Sequence, residues 1–211
     1  VPTPGKDPAP APQPPKTIGP RERMVFSAAQ LIRRGGVGAT GMREVAAHAN
    51  APRGSLQHYF PGGKEQLVNE AVAWGGRYAG RRVARFVGAM EHPTPSGLLA
   101  AMVKQWTDEY EVLGQGAGCP VAAATVDCAD SVESTRAAAA AAFGTWSAPV
   151  AAALTEMGVP AADADSLATL MISAIEGAII MSRAARDPGP LHTVARELGP
   201  LLDSRVVSEG V

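Results

Sequence analysis

Apolar residues recur along this chain three and four positions apart, and almost nowhere in strict alternation. That period belongs to helices with one buried face, whereas a half-buried strand alternates every second residue. Met24, Val25, Ala28, Leu31 and Ile32 make the first stripe, over a helix predicted from about Pro20 to Arg34 and stopped by Gly35-Gly36. Met42, Val45, Ala46 and Ala49 make a second, with Thr40 placed to N-cap it. Asn50-Ala51-Pro52 breaks the pattern; Leu56, Tyr59 and Phe60 resume it briefly until Pro61-Gly62-Gly63. A longer helix is expected from Lys64 to about Gly88. Beyond the break at His92-Pro93-Thr94-Pro95, Leu99, Met102, Val103, Trp106 and Tyr110 mark a helix to Leu113, and a short one runs from about Pro120 to Cys128. Asp130, with Glu133 three residues on, predicts the capped start of a long helix that Pro149 kinks and Gly158-Val159-Pro160 ends. Two last helices are expected over about 163–186 and 190–206. The fold class is all-α.

The short element after Asn50-Ala51-Pro52 turns Leu56, Tyr59 and Phe60 inward and leaves Arg53, Ser55, Gln57 and His58 largely outside that stripe. Arg and Gln suit base edges, Ser and Tyr suit phosphate oxygens, and helix, turn and presented helix together read as a helix-turn-helix. The net charge of −1 argues against a nucleic-acid surface until the chain is divided. Residues 1–66 carry nine Lys/Arg against four Asp/Glu, and the remainder ten against sixteen, so the positive excess travels with the reading head. Three domains follow: a Pro-rich tail at 1–19, expected to be disordered; a DNA-binding unit at 20–66; and a ligand-binding and dimerisation unit at 67–211.

The stretches Ala28-Ala29, Gly35, MREVAAHA (42–49) and GSLQHYFPGGKEQLV (54–68) resemble the N-terminal domain of the TetR family of bacterial transcriptional regulators. The double glycine before Lys64, with Gly118-Cys119-Pro120-Val121, is similar to the LmrA/YxaF branch of that family. Asn50 stands where most relatives carry Gly, and Gln57 where Tyr is usual. The resemblance implies a homodimer on palindromic operator DNA, repression, and Lys64 on a phosphate. The candidate DNA-contacting set is Thr40, Arg43, Arg53, Gly54, Ser55, Gln57, His58, Tyr59 and Lys64.

Broad apolar faces on the last two helices suggest pairing with a second copy through Leu170, Ala174, Ala178, Leu191, Val194, Leu198, Leu201 and Leu202; the other reading buries them inside one subunit. Phe86, Met90, Met102, Trp106, Tyr110, Phe143, Trp146 and Met171 offer adaptable apolar surface for a planar or bulky hydrophobic effector. Glu176 is either a buried ligand acceptor or a residue facing a groove. Trp74 and Tyr78 are expected to lie toward the second domain, and Arg77, Arg81, Arg82 and Arg85 to form a solvated basic face.

Gly36-Val37-Gly38-Ala39-Thr40-Gly41 matches a dinucleotide fingerprint in letters only, since no strand precedes it. Four scattered histidines and no G-x-S-x-G argue against an enzyme. Cys119 and Cys128, nine apart, fit no common zinc spacing; they read as buried reduced thiols or a redox-sensing pair. No cofactor is expected. The longest apolar candidate, Leu167 to Met181, is interrupted by Glu176, so a cytoplasmic protein without membrane contact is expected. The alternative function is a small-molecule carrier whose helix-turn-helix is inert.

Overall fold

The computed structural model describes residues 10–52 and 54–207, and is helical throughout, with no strand among the described residues. The elements are α1 (Pro20–Ala39), α2 (Met42–His48), α3 (Ser55–Tyr59), α4 (Gly63–Gly88), α5 (Pro95–Leu113), a 3₁₀ turn at Gly114–Gly116, α6 (Pro120–Cys128), α7 (Glu133–Glu156), α8 (Ala161–Ala185) and α9 (Gly189–Asp203). Eight of the nine expected helices lie within about three residues of their predicted bounds, and α1 runs five residues past its expected end.

The exceptions have local causes. The expected stop at Gly35-Gly36 is a break rather than an end. Gly36 sits at φ 83°, and the chain resumes a short turn through Ala39. The side chain of Asp127, on α6, accepts from the Val37 amide at 2.6 Å, so a Cβ on Gly36 would overlap the carboxylate as well as strain the backbone. Thr40 does not N-cap α2. Its amide and hydroxyl turn back onto the Val37 and Gly36 carbonyls, and Gly41 takes the N-cap position, with the Glu44 side chain reaching back to its amide. Asp130 does not cap α7 either. The chain enters at Val132, with no side-chain cap, and α7 continues through Pro149. Within the tail, Ala11 and Pro12 are half-buried rather than loose; the first nine residues, Lys6 among them, lie outside the described residues.

α1 packs on α2 and on α4, and α3 joins the same core. Met24, Ala28, Ala29 and Ile32 meet Val45, Ala46 and Ala49, with Leu56, Phe60, Leu67 and Ala71 closing the head. Arg21 ties α1 to α4 through Glu70 at 2.6 Å and lies over the Phe60 ring. α4 then leaves the head and runs into the second domain, about 39 Å in all for its 26 residues. Its main partner there is α7. Gly76 and Gly80 admit the backbone of α7 so closely that a Cβ would come within 2.5 Å of the Ala142 carbonyl and 2.7 Å of the Thr145 carbonyl. Pro149, lacking an N–H, leaves the Thr145 carbonyl without its helical donor, which fits this close approach. α9 closes the domain by burying Leu191 and Leu202, and its Asp203 accepts from the Ser96 amide at the start of α5 at 2.9 Å.

α7 and α8 are long and apolar enough to cross a membrane by length and hydropathy alone, which differs from the expectation that Glu176 would break any such run. In this fold 39% and 50% of their most apolar windows are buried within the chain, the packing of core helices.

Gly80→Ala or Gly76→Ala should lower stability by about 1–3 kcal/mol through overpacking against α7. Gly144→Ala, helical and with nothing near its Cβ, should raise stability by up to about 1 kcal/mol. Urea denaturation of the three variants reads the contrast.

Candidate functional site

The head holds the residues expected to contact DNA on a tight corner. α2 ends in a Schellman arrangement: the Ala51 amide donates to Ala46 O at 3.0 Å and the Asn50 amide to Ala47 O at 3.1 Å. Asn50 takes the left-handed conformation this requires, at φ 48°, which Asn tolerates better than most residues. That explains how Asn substitutes for a turn glycine. α3 is only five residues long, and Leu56 and Phe60 hold it to the core. Gln57 and His58 are exposed, as are Gly54 and Arg43, while Ser55, Tyr59 and Lys64 are half-buried. Lys64 is the second residue of α4, where the helix dipole opposes an ammonium but a phosphate would welcome it. Thr40, at 4% exposure with its hydroxyl on Gly36 O, is withdrawn from that surface. Arg53 lies outside the described residues. His48 is tethered: Nδ1 lies 2.9 Å from the Ser27 hydroxyl and Nε2 3.3 Å from Ala11 O.

Below the head lies a cavity of about 410 Å³, within the range of small-molecule sites. α1 supplies Phe26, Gln30 and Arg33; α4 supplies Trp74, Tyr78 and Arg82; α5 supplies Trp106, Asp108 and Glu109; α6 and α7 close it with Cys119, Val121 and Trp146. All three tryptophans of the chain therefore line it. Trp74 and Tyr78 stack at 5.0 Å, and the Phe26 ring meets Trp74 edge-on at 5.4 Å. Arg33 pairs with Glu109, joining α1 to α5, and donates to Gln30 at 3.3 Å, while its Nε is buried without a partner. Pro12 of the tail also reaches this cavity.

Of the effector residues expected from sequence, only Trp106 and Trp146 line this cavity. Met102 and Met171 are core residues at 2% and 0% exposure. Tyr110 borders a separate narrow crevice, and Phe86 and Met90 pack at the end of α4 outside the cavity. Phe143 and Glu176 border a second groove, of about 270 Å³, between α7 and α8. The unanticipated wall was visible as Phe26, Gln30 and Arg33: spaced i, i+4, i+7, they place polar groups on a buried helix face. Arg82 leaves the solvated run expected for it. It donates to the Tyr78 hydroxyl at 2.7 Å and covers the Tyr78 and Phe86 rings, while Arg77, Arg81 and Arg85 stay exposed.

Glu176 is 9% exposed, and neither carboxyl oxygen has a hydrogen-bond partner. Burial raises its pKa from the ordinary 4.5 to about 7, and the neighbouring Cys119 thiol opposes the shift. Cys119 is pushed well up in turn, first by burial and then by the Glu176 charge, so it stays a neutral thiol. Both cysteines are free.

The expected dimer face divides. Ala178, Leu191 and Leu202 are buried inside the subunit, at 3%, 1% and 0% exposure, because α9 packs on α5 and α8. Leu170 and Leu201 remain exposed, Ala174, Val194 and Leu198 are half-buried, and Ile180 and Met181 add large exposed apolar surface on α8.

An exposed two-helix reading head, mounted by α4 on a helical domain with a cavity, is the build of a helix-turn-helix transcriptional regulator. Residues 27–71 match the family model "Bacterial regulatory proteins, tetR family", and residues 95–197 match "Transcriptional regulator LmrA/YxaF-like, C-terminal domain". The chain is 41% identical over 189 residues to the HTH-type transcriptional regulator Rv0196 of Mycobacterium tuberculosis, covering 87% of this chain and 94% of that one. It is 30% identical to the HTH-type transcriptional regulator YxaF of Bacillus subtilis, covering 86% and 94%. The fold is shared with a TetR transcriptional regulator from Legionella pneumophila, at TM-score 0.75 and 19% identity, covering 91% of this chain and all of that one. The protein belongs to the TetR family of DNA-binding transcriptional regulators, in its LmrA/YxaF-like branch.

Glu176→Gln tests the buried carboxyl. The folded-state pKa lies above the unfolded one, so the folded state holds the extra proton between pH 4.5 and about 7 and stability falls as pH rises through that window. The variant should be more stable than the parent at pH 8, by at most about 3 kcal/mol, with the gap narrowing toward pH 5 in thermal unfolding scans.

Proposed function

We propose that this regulator is a repressor that holds a palindromic operator as a homodimer and is released by a hydrophobic small molecule. The observation that carries the reading is the position of the 410 Å³ cavity: its walls include α1 and α4, the helices on which the head is built. An occupant that spreads α4 from α5 moves the head directly. Arg33 and Arg183 make the movement costly to resist locally, because they pin the end of α1 to α5 and α8.

Two copies would meet through the exposed parts of α8 and α9, with Leu170, Ile180, Met181 and Leu201 at the seam and Ala174, Val194 and Leu198 beside them. Two heads then address successive major grooves about 34–36 Å apart. Gln57 with Arg53 would read base edges, and Ser55, Tyr59, Lys64 and Arg43 would take phosphates; His58 and Gly54 lie at the same tip. Emptying an operator from 99% bound to 1% requires an effector to favour the released state by about 10⁴, or about 5.5 kcal/mol, which several aromatic contacts could supply. A reduced interior with two free buried thiols suits the cytoplasm.

Gel shift against DNA upstream of the chain's own coding sequence tests the reading; salt-insensitive or absent binding would leave only the carrier. Gln57→Ala should cost about 1–3 kcal/mol at particular base pairs, whereas Lys64→Ala should weaken all sequences alike and reduce the salt slope by about one. Ile180→Glu should shift the protein to monomer in sedimentation and abolish tight operator binding; an unchanged dimer would move the seam elsewhere.

A further inference from the structure

The charges around the main cavity do not cancel locally. Two acids line it, and both are engaged. Asp108 accepts from Lys104 at 2.6 and 2.8 Å, and Glu109 accepts from Arg33 and, at 3.1 Å, from Gln105. Two cations line it as well: Arg33, which Glu109 neutralises, and Arg82, which pairs with no carboxylate among the described residues. Arg82 is also pre-positioned. Its Nη1 donates to the Tyr78 hydroxyl at 2.7 Å, and its Cζ lies 5.5 and 5.4 Å from the centroids of the Tyr78 and Phe86 rings. A guanidinium has five N–H donors, so this leaves a fork available for two carboxylate oxygens at small entropic cost. The adjoining wall is the stacked Trp74–Tyr78 pair, shaped for a flat ring system.

We infer that the cavity selects an aromatic acid, its ionised oxygens gripped by Arg82 and its rings laid along Trp74 and Tyr78. This rests on the effector reading and narrows it: neutral and cationic molecules of the same shape are the discriminated class. The buried, partnerless Nε of Arg33 adds a second donor facing the same need for an acceptor. An amine in this place would meet an unopposed guanidinium.

Calorimetric titration of the full chain with 2-naphthoate, 2-naphthamide and 2-naphthylmethylamine separates the classes. The acid should bind about tenfold or more tighter than the amide, the gain expected of a charge-assisted pair, and the amine should bind weakest. Arg82→Gln should erase the acid's advantage, weakening the acid about tenfold or more and the amide much less. Arg82→Lys should keep much of it, and Arg81→Gln, on the exposed side of α4, should keep all of it. Circular dichroism confirms that each variant is folded; if Arg82→Gln is not, the acid-to-amide ratio of the parent and Arg82→Lys still decides. Equal affinity of acid and amide for the parent would leave the cavity reading intact and overturn this inference. An Arg82→Gln variant that retains the preference would overturn it as well. No heat from any of the three probes would remove both.

Discussion

The carboxyl-terminal end of α1 carries the structural burden of joining two domains. A helix end leaves carbonyls without intrahelical donors, and here they are not left to solvent. Arg183 of α8 donates to Arg33 O at 3.4 Å and to Arg34 O at 3.0 Å, placing a cation where the helix dipole is negative. Gly36 then breaks the helix so that the Val37 amide meets Asp127 of α6, and Gly118 passes so close to Arg33 O that a Cβ would lie 2.6 Å from it. With the Arg33–Glu109 pair, one turn of backbone is fastened to α5, α6 and α8. Those three helices thus share one anchor at the base of the head.

α4 is the second connection, and it is built by omission. Glycines at 76 and 80 let α7 approach to backbone contact, while the same helix turns Trp74, Tyr78 and Arg82 toward the cavity. One face of α4 is thus locked by close packing and another lines the cavity. Space beside a rigid, well-packed helix is where an occupant can act as a lever, because packed interfaces shift between discrete arrangements rather than deform smoothly.

The reading head was legible because its signals are local. Apolar spacing in α2, a turn-tolerant Asn50, the inward Leu56 and Phe60 and the stop at Pro61-Gly62-Gly63 all act within a few residues, and the exposed Gln57 and His58 follow from the same pattern. Caps were less legible. Thr40 and Asp130 are suitable residues by type, yet Thr40 is drawn back onto Gly36, and the entry to α7 falls at Val132. Competition among nearby backbone groups decides a cap, and residue preference only weights it.

The order and type of the helices, the position of the short exposed helix after Asn50 and the concentration of positive charge in the first third were determined by the sequence alone, since periodicity and charge are properties of contiguous residues. Which aromatic residues share a cavity was decided only by tertiary structure. Met102 and Met171 have the right chemistry but sit in the core, whereas Phe26, Trp74, Tyr78 and Arg82 converge from two helices about fifty residues apart in sequence. The same holds for α8 and α9: Leu191 and Leu202 look equally fit for a partner or for the interior, and their packing on α5 and α8 puts them inside. An apolar face states that it will be covered; only the arrangement of the other helices states by what.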